Sequence, residues 1–197
     1  DCLMRGRSAS EAIQTTSVAR LSVIPASADL VGAEVELVSV PSRETVLKIA
    51  LQDIQNQYDF IIVDCPPALG LLTINALTAA SSVLVPVQCE YYAMEGLGRL
   101  LTNVKRIQDS LNAGLELEGI LLTMYDSRNS LARQVADEIR THFKEKVYTS
   151  VIPRNVTLAE APSYGRPVLL YNAASAGSQA YVELAKEFLN HGEKRAR

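Results

Sequence analysis

The chain has 197 residues and a formal net charge of −3 at pH 7, with 48% hydrophobic and 21% charged residues. These values are ordinary for a globular protein, and the length suits one domain with a sizeable core. The negative charge excludes a global basic field, so any contact with nucleic acid would have to be local. Three widely spaced cysteines without a C-x-x-C pair predict neither a disulfide framework nor a zinc site. No apolar run approaches the ~20 residues that span a bilayer.

Strand and helix patterns alternate along the chain. The first half predicts a strand over 21–25, a helix over 29–38, a helix within 42–57, a strand over 59–64 and a helix over 70–80. The second half predicts strand 82–87, helix 94–112, strand 117–123, helix 128–143, strand 147–152, a loop and a final helix over 178–189. This alternation favours an α/β fold in which helices cover both faces of a mostly parallel sheet.

The most informative stretch is an apolar run that ends in a carboxylate. Phe60–Val63 is followed by Asp64 and then by Pro66 and Pro67. Four apolar residues in a row predict a strand buried on both faces, and the prolines end it because they cannot donate to a ladder. Asp64 would then lie at the carboxyl end of a central strand, where open α/β sheets bind ligands and a carboxylate can hold Mg²⁺ through water. The alternative is an acidic residue that caps the next turn.

Four further blocks follow in order: L-G-L-L-T-I-N-A-L at 69–77, V-L-V-P-V-Q-C-E-Y-Y-A-M-E-G at 83–96, L-T-M-Y-D-S-R at 122–128 and V-I-P-R-N-V at 151–156. Together with the run described above, they closely resemble the ParA/Soj family of partitioning ATPases, the deviant Walker A group that also contains MinD. The resemblance covers about residues 20–189. It implies a P-loop NTPase-like fold and the use of ATP and Mg²⁺.

The resemblance also implies roles for individual residues. Asp64 would hold Mg²⁺, and Pro66, Pro67 and Gly70 would belong to the switch segment that senses the terminal phosphate, although Gly70 could equally just start the next helix. The residues that would enclose the nucleotide base are Thr123, Met124, Pro153, Arg154 and Asn155. Each of these segments follows an apolar strand, so we expect them at one sheet edge with Asp64; a turn without a ligand is the alternative for either one.

Two further surfaces are implied. Glu90 and Tyr91 match a segment near the family's dimer interface, although ordinary packing would explain them as well. Arg128 and Arg133 are the candidate DNA-binding residues, since relatives bind DNA without sequence preference through basic residues that contact phosphate. Thr157 departs from the pattern, because relatives often carry a basic residue there. Solvated helix charges are the alternative for the arginines.

The family's phosphate loop, K-G-G-x-G-K-[ST], does not occur in these 197 residues, and neither does its acidic D-x-D-P-Q-G-N segment. We therefore interpret residues 1–197 as one ParA-type nucleotide-binding domain that lacks its first βα units, a C-terminal fragment that binds ATP weakly by itself. The implied full-length protein is a cytoplasmic, nucleoid-associated homodimer that needs no membrane. It would bind non-specific DNA with ATP and be released when a ParB-type centromere-binding protein stimulates hydrolysis. The alternative is a truncated or pseudo-ATPase that binds DNA or protein without turnover.

Overall fold

The computed structural model describes Leu3, residues 8–66 and residues 68–195. Pro67, predicted to belong to the switch segment, lies outside the described residues. The chain divides into two compact units, one formed by residues 1–82 and 104–116 and the other by residues 83–103 and 117–197. The prediction of a single ParA-type domain over 1–197 stays a prediction.

Short elements make up the first unit. They are helix α1 (Ala9–Ala12), strands β1 (Gln14–Thr15) and β2 (Ser22–Val23), and helices α2 (Leu30–Glu36), α3 (Val46–Ala50) and α4 (Leu71–Ala79). β1 pairs antiparallel with β2, so the strand predicted over 21–25 is real but shorter. Single 3-10 turns occupy Leu37–Ser39, Arg43–Thr45 and Gln55–Gln57.

The helix predicted within 42–57 is interrupted after α3. In a continuous helix the backbone N–H of Gln57 would donate to the Asp53 carbonyl. Here that N–H donates to the Ile54 carbonyl at 2.9 Å. The side-chain amide of Gln57 donates to the Asp53 carbonyl at 2.8 Å instead. The departure from α-helical bonding begins earlier, at Gln52, whose N–H donates to the Ile49 carbonyl at 3.2 Å.

A buried asparagine joins α4 to the turn that precedes α3. The side chain of Asn75 is 1% exposed. Its Nδ2 donates to the carbonyls of Arg43 at 2.7 Å and Leu71 at 3.0 Å. Its Oδ1 accepts from the Leu47 N–H at 3.1 Å. Because all these groups are satisfied, Asn75 fixes the position of α4 against residues 43–47.

The prediction of a buried strand over 59–64 is wrong. None of these residues belongs to a strand, and the only ladder described in the first unit is that between β1 and β2. Phe60 is 54% exposed and Ile62 is 86% exposed. A strand needs a neighbouring strand to receive its backbone hydrogen bonds, and the described residues of this unit offer none beside this run. Asp64 consequently does not end a central strand.

The second unit contains the larger sheet. Its elements are β3 (Ser82–Gln88), α5 (Ala93–Ser110), β4 (Glu116–Tyr125), α6 (Ser130–Phe143), β5 (Val147–Pro153), α7 (Val156–Glu160), α8 (Val168–Tyr171) and α9 (Ala176–Arg195). Three of these elements have residues that belong to the first unit: Ser82 of β3, the end of α5 from Val104, and Glu116 of β4. The strands lie in the order β3-β4-β5, and β4 runs parallel to β5. Among the residues described, no helix is long and apolar enough to cross a membrane.

Alternating residues of β4 pack on opposite faces of this sheet. Ile120 and Leu122 belong to one core cluster with Leu97 of α5 and Ile139 of α6. Leu121, which lies between them, packs in a second cluster with residues of β5 and α9. Side chains of a strand point alternately to either face, so helices cover both faces of the sheet, as the sequence predicts.

The segment after β5 is more regular than the loop expected from the sequence. It forms α7, a 3-10 turn over Ala161–Tyr164 and α8. Asn155 precedes α7, and its Oδ1 accepts from the Leu158 N–H at 3.3 Å. The asparagine is therefore a helix cap, and Gly165 ends the turn in the left-handed conformation at φ +60°.

Candidate nucleotide site

A bulge at the end of β4 presents Met124 to a groove of the second unit. Between Leu122 and Tyr125 the strand advances three residues while β5 advances only two, from Val151 to Pro153. The extra residue is accommodated at Met124, which adopts φ +53°. A non-glycine residue in this conformation is strained, and such residues are often found near functional sites.

The ends of β4 and β5 are joined directly. The Arg154 N–H donates to the Tyr125 carbonyl at 2.9 Å, so the two segments predicted to enclose the base lie side by side. They border an open groove of about 750 Å³, a size suited to a small-molecule ligand. Predicted site residues that line the groove are Glu90, Tyr91, Met124 and Arg154. Thr123, Pro153 and Asn155 are not among its lining residues.

Charged and aromatic side chains lie together on the groove wall. The Arg154 guanidinium pairs with the Glu90 carboxylate at 3.4 Å, and both side chains are more than half exposed. Tyr91 and Tyr92 are each 73% exposed and contact each other edge to face, with ring centroids 5.0 Å apart. An exposed ion pair of this kind contributes little stability, which leaves Arg154 able to exchange its partner for an anion. Exposed aromatic rings can stack on a base or on a partner protein.

The loop between β4 and α6 is held by arginines. Arg128 donates to both Asp126 oxygens, at 2.9 Å from Nε and 2.8 Å from the terminal nitrogen. Hydrogen bonds from the side chain and backbone of Arg128, together with its charge, lower the pKa of Asp126 to about 2. Arg133 donates to the Ser127 carbonyl at 2.7 Å. Both predicted DNA-binding arginines are thus exposed but engaged by the loop itself.

The remaining predicted residues lie in the first unit. Asp64 and Pro66 are exposed, and Gly70 is the residue that precedes α4. Partial burial, and then the neighbouring Asp64 carboxylate, raise the pKa of the exposed Cys65 thiol, which lowers its thiolate fraction at pH 7. In the described part of the chain no three acidic, histidine or cysteine side chains form a metal cluster. One accessible carboxylate fits Mg²⁺ when phosphate oxygens and water supply the other ligands.

Sequence reasoning missed most residues that line the groove, Asp126 among them, and one contact outside the groove. Asp126 lies two residues before Arg128 in the block at 122–128, and that position was its only signal. Tyr92, beside Tyr91, belongs to the segment that resembles the family's dimer interface. The carboxylate of Glu34, which approaches the start of α4, gave no signal, because nothing in a single sequence connects positions 34 and 70.

Comparisons with known proteins identify the family. A model described as an AAA domain matches residues 1–117. The sporulation initiation inhibitor protein Soj of Bacillus subtilis is 53% identical over 98% of this chain and 76% of its own length. The chromosome partitioning protein ParA of Myxococcus xanthus is 49% identical over 96% of this chain and 67% of its own.

Solved structures agree on the fold. Cobyrinic acid a,c-diamide synthase from Mycobacterium smegmatis, determined with bound ADP and magnesium, is 35% identical with a TM-score of 0.81 and covers 98% of this chain and 71% of its own. The Pyrococcus furiosus cell division ATPase MinD superposes with a TM-score of 0.75 at 22% identity over 95% of this chain and 73% of its own, which supports the fold alone. The fold is that of the P-loop NTPases, and the chain belongs to the ParA/Soj family of partitioning ATPases.

Proposed function

We propose that the protein is the ATPase of a DNA-partitioning system and that it works with ATP and Mg²⁺. The observation that carries this proposal is the groove at the ends of β4 and β5. There the guanidinium of Arg154, the strained backbone at Met124 and two exposed tyrosines surround a volume of about 750 Å³. Relatives named as chromosome partitioning proteins, which match nearly the whole chain, support the biological role.

Each residue has a role in the proposal. The segments Thr123-Met124 and Pro153–Asn155 enclose the base, largely through their backbone and the Asn155 side chain. Asp64 holds Mg²⁺ through water, and Pro66, Pro67 and Gly70 form the segment that senses the terminal phosphate. The ion itself would neutralise phosphate charge.

The cellular part of the proposal rests on the family. The ATP-bound protein forms a homodimer through the surface of Glu90 and Tyr91, and it binds non-specific nucleoid DNA through Arg128 and Arg133. A ParB-type centromere-binding partner stimulates hydrolysis and releases it, in the cytoplasm and away from the membrane. DNA contacts of this kind go to phosphates and weaken as salt rises.

A second candidate is a pseudo-ATPase that binds DNA or protein without turnover. No Gly-Lys-Ser/Thr triplet occurs in the 197 residues, so the two candidates differ in whether such a loop precedes Asp1. Without the amides and lysines of such a loop, phosphates have nothing to cradle them.

Two proteins separate the candidates, the full-length protein with any residues that precede Asp1 and the 197 residues alone. We expect the full-length protein to bind and hydrolyse ATP with Mg²⁺, and the 197 residues alone to bind it weakly or not at all, as measured by calorimetric titration and phosphate release. A full-length protein that hydrolyses no ATP would favour the pseudo-ATPase, and micromolar affinity for the isolated chain would contradict its interpretation as a fragment.

Substituting Asp64 tests the metal assignment. We expect Asp64→Ala to reduce Mg²⁺-dependent hydrolysis by about 10–100-fold, as loss of an outer-sphere metal partner does elsewhere. Asp59→Ala is the matched control, because Asp59 is an exposed carboxylate nearby that pairs with Arg20 at 3.3 Å. Equal rates for the two variants would remove Asp64 from the site.

A further inference from the structure

Helix α4 begins without a cap from its own sequence. The residue before its first turn is Gly70, at φ −82° and ψ −178°, which has no side chain to accept from the free backbone N–H groups. Ser, Thr, Asp and Asn usually occupy this position because their oxygen accepts from the second or third helical N–H. The backbone angles at Gly70 are open to any residue, so conformation alone does not require glycine.

Glu34 of α2 supplies the missing acceptor. Its Oε1 accepts from the N–H of Leu72, the second helical residue, at 3.5 Å. That hydrogen bond is long, but the carboxylate also brings negative charge to the positive end of the helix, which is favourable. Glu34 therefore takes the place of a capping side chain, although it lies on another helix of the same unit.

A side chain at position 70 would meet the same carboxylate. A Cβ added to Gly70 would lie 2.9 Å from Cδ of Glu34 and closer still to Oε1. Real Cβ atoms essentially never approach another atom this closely. A side chain at position 70 would displace the Glu34 carboxylate, which can move because it is the end of a flexible side chain, and the hydrogen bond to Leu72 would then be lost.

We propose that Glu34 is a positioning residue for the switch segment, and this inference rests on the proposed function. Its carboxylate caps α4 and fixes the backbone of Gly70, the group assigned to the terminal phosphate of ATP. Asn75 holds α4 one turn further along, so the two contacts together join α4 to residues 30–47. Without the Glu34 carboxylate, the hydrogen bonds of Asn75 still hold α4 in position, but the first turn of the helix loses its cap.

The contact is tested first without nucleotide, by a double-mutant cycle on the whole chain. We expect Gly70→Ala to lower the midpoint of urea unfolding in the native background and to lower it much less when Glu34 is also alanine, because the overlapping carboxylate is then gone. Glu36→Ala is the matched control. Glu36 lies on the same helix, whereas the three heavy atoms nearest to a Cβ at position 70 all belong to Glu34. Equal effects of Gly70→Ala in the Glu34→Ala and Glu36→Ala backgrounds would overturn the contact.

Nucleotide selectivity then tests the positioning role, in the full-length protein. We expect Glu34→Ala to weaken ATP binding about fivefold, which corresponds to about 1 kcal/mol, and to leave ADP binding unchanged, since ADP lacks the terminal phosphate. Glu34→Gln keeps an acceptor oxygen and should restore most of the preference for ATP. Equal losses of ATP and ADP affinity, or no change in either, would reduce Glu34 to a merely structural cap.

The two failures are distinguishable. If the native full-length protein binds neither nucleotide, the proposed function fails and with it the positioning role. The unfolding cycle and the hydrogen exchange rate of the Leu72 amide then decide on the cap alone. We expect the Leu72 amide to exchange faster in Glu34→Ala than in Glu36→Ala, and equal rates would overturn the cap.

Discussion

Replacing Glu187 tests how the irregular edge of β5 is stabilised. Between Ile120 and Leu122 of β4 the strand advances two residues, while β5 advances four, from Val147 to Val151. This bulge leaves backbone N–H groups of β5 outside the ladder. Glu187 of α9 accepts two of them, from Thr149 at 2.7 Å and from Ser150 at 2.8 Å.

The expected cost of Glu187→Ala follows from these two bonds. A hydrogen bond to a charged group contributes about 1.5–3 kcal/mol when it is buried. The Glu187 carboxylate lines an open groove of about 570 Å³, where water can replace part of each bond. We therefore expect a loss of about 1–2 kcal/mol in the free energy of unfolding, or about 2–8 °C in Tm for a chain of this size.

Urea unfolding of the whole chain at pH 7 measures this loss. Glu183→Ala is the matched control, because Glu183 lies one turn earlier on α9, lines the same groove and pairs with Lys186 at 2.8 Å rather than with β5. A Glu187→Ala midpoint equal to that of Glu183→Ala would refute the reasoning. Equal midpoints would mean that water alone satisfies the backbone N–H groups of Thr149 and Ser150.

The same bonds give the loss a pH dependence. Burial alone would raise the pKa of Glu187, but the hydrogen bonds from Ser150 and Thr149 together outweigh it and hold the pKa below its usual range. A depressed folded-state pKa contributes stability above the unfolded pKa of about 4.3, and that contribution is lost as pH falls through the folded value. The difference between native protein and Glu187→Ala should therefore shrink below about pH 4. A difference that grows on acidification would contradict the assignment.

Two further predictions concern the loop and the bulge near the groove. Arg128→Glu in the full-length protein should weaken DNA binding about equally for all sequences and reduce the salt slope by about 1, whereas Asp126→Asn should strengthen binding by releasing the guanidinium. Filter binding across a salt series checks both, and unchanged affinity at every salt concentration would remove Arg128 from the DNA surface. Met124→Val should destabilise the chain by about 1–2 kcal/mol, because a β-branched residue fits φ +53° poorly, while Met124→Gly should cost less. Thermal unfolding measures the difference, and equal Tm values would show that the bulge rearranges.

The elements of the second unit could be predicted because their patterns are local. The apolar spacing of α6, with buried residues at 132, 135, 136 and 139, specifies a helix by itself. β4 contains the unbroken apolar run Ile120–Leu122, which suits a strand covered by helices on both faces. β5 is recognisable from its β-branched and aromatic residues, Val147, Tyr148 and Val151.

The strand predicted over 59–64 could not be judged in the same way. Its apolar residues favour burial in a sheet, but a strand forms only beside another strand, and the local sequence does not show whether that second strand is present. The groove was predictable in part for a related reason: parallel strand ends meet at one edge, which brings Met124 near Arg154. The bulge and the left-handed Met124 depend on the register between β4 and β5, and the cap from Glu34 depends on the close approach of two helices. A single sequence encodes neither the register nor this approach in a recognisable form.

The bulge in β5 also determines how the described sheet ends. A strand that adds to an edge needs outward backbone N–H groups spaced two residues apart, and a second molecule can provide such a strand as readily as the same chain. In β5 two successive N–H groups are already occupied by one carboxylate, and the register is broken at the same place. An incoming strand would have to displace a charged acceptor and could not match the spacing. The edge of β5 is thus protected against intermolecular β-aggregation by a single side chain.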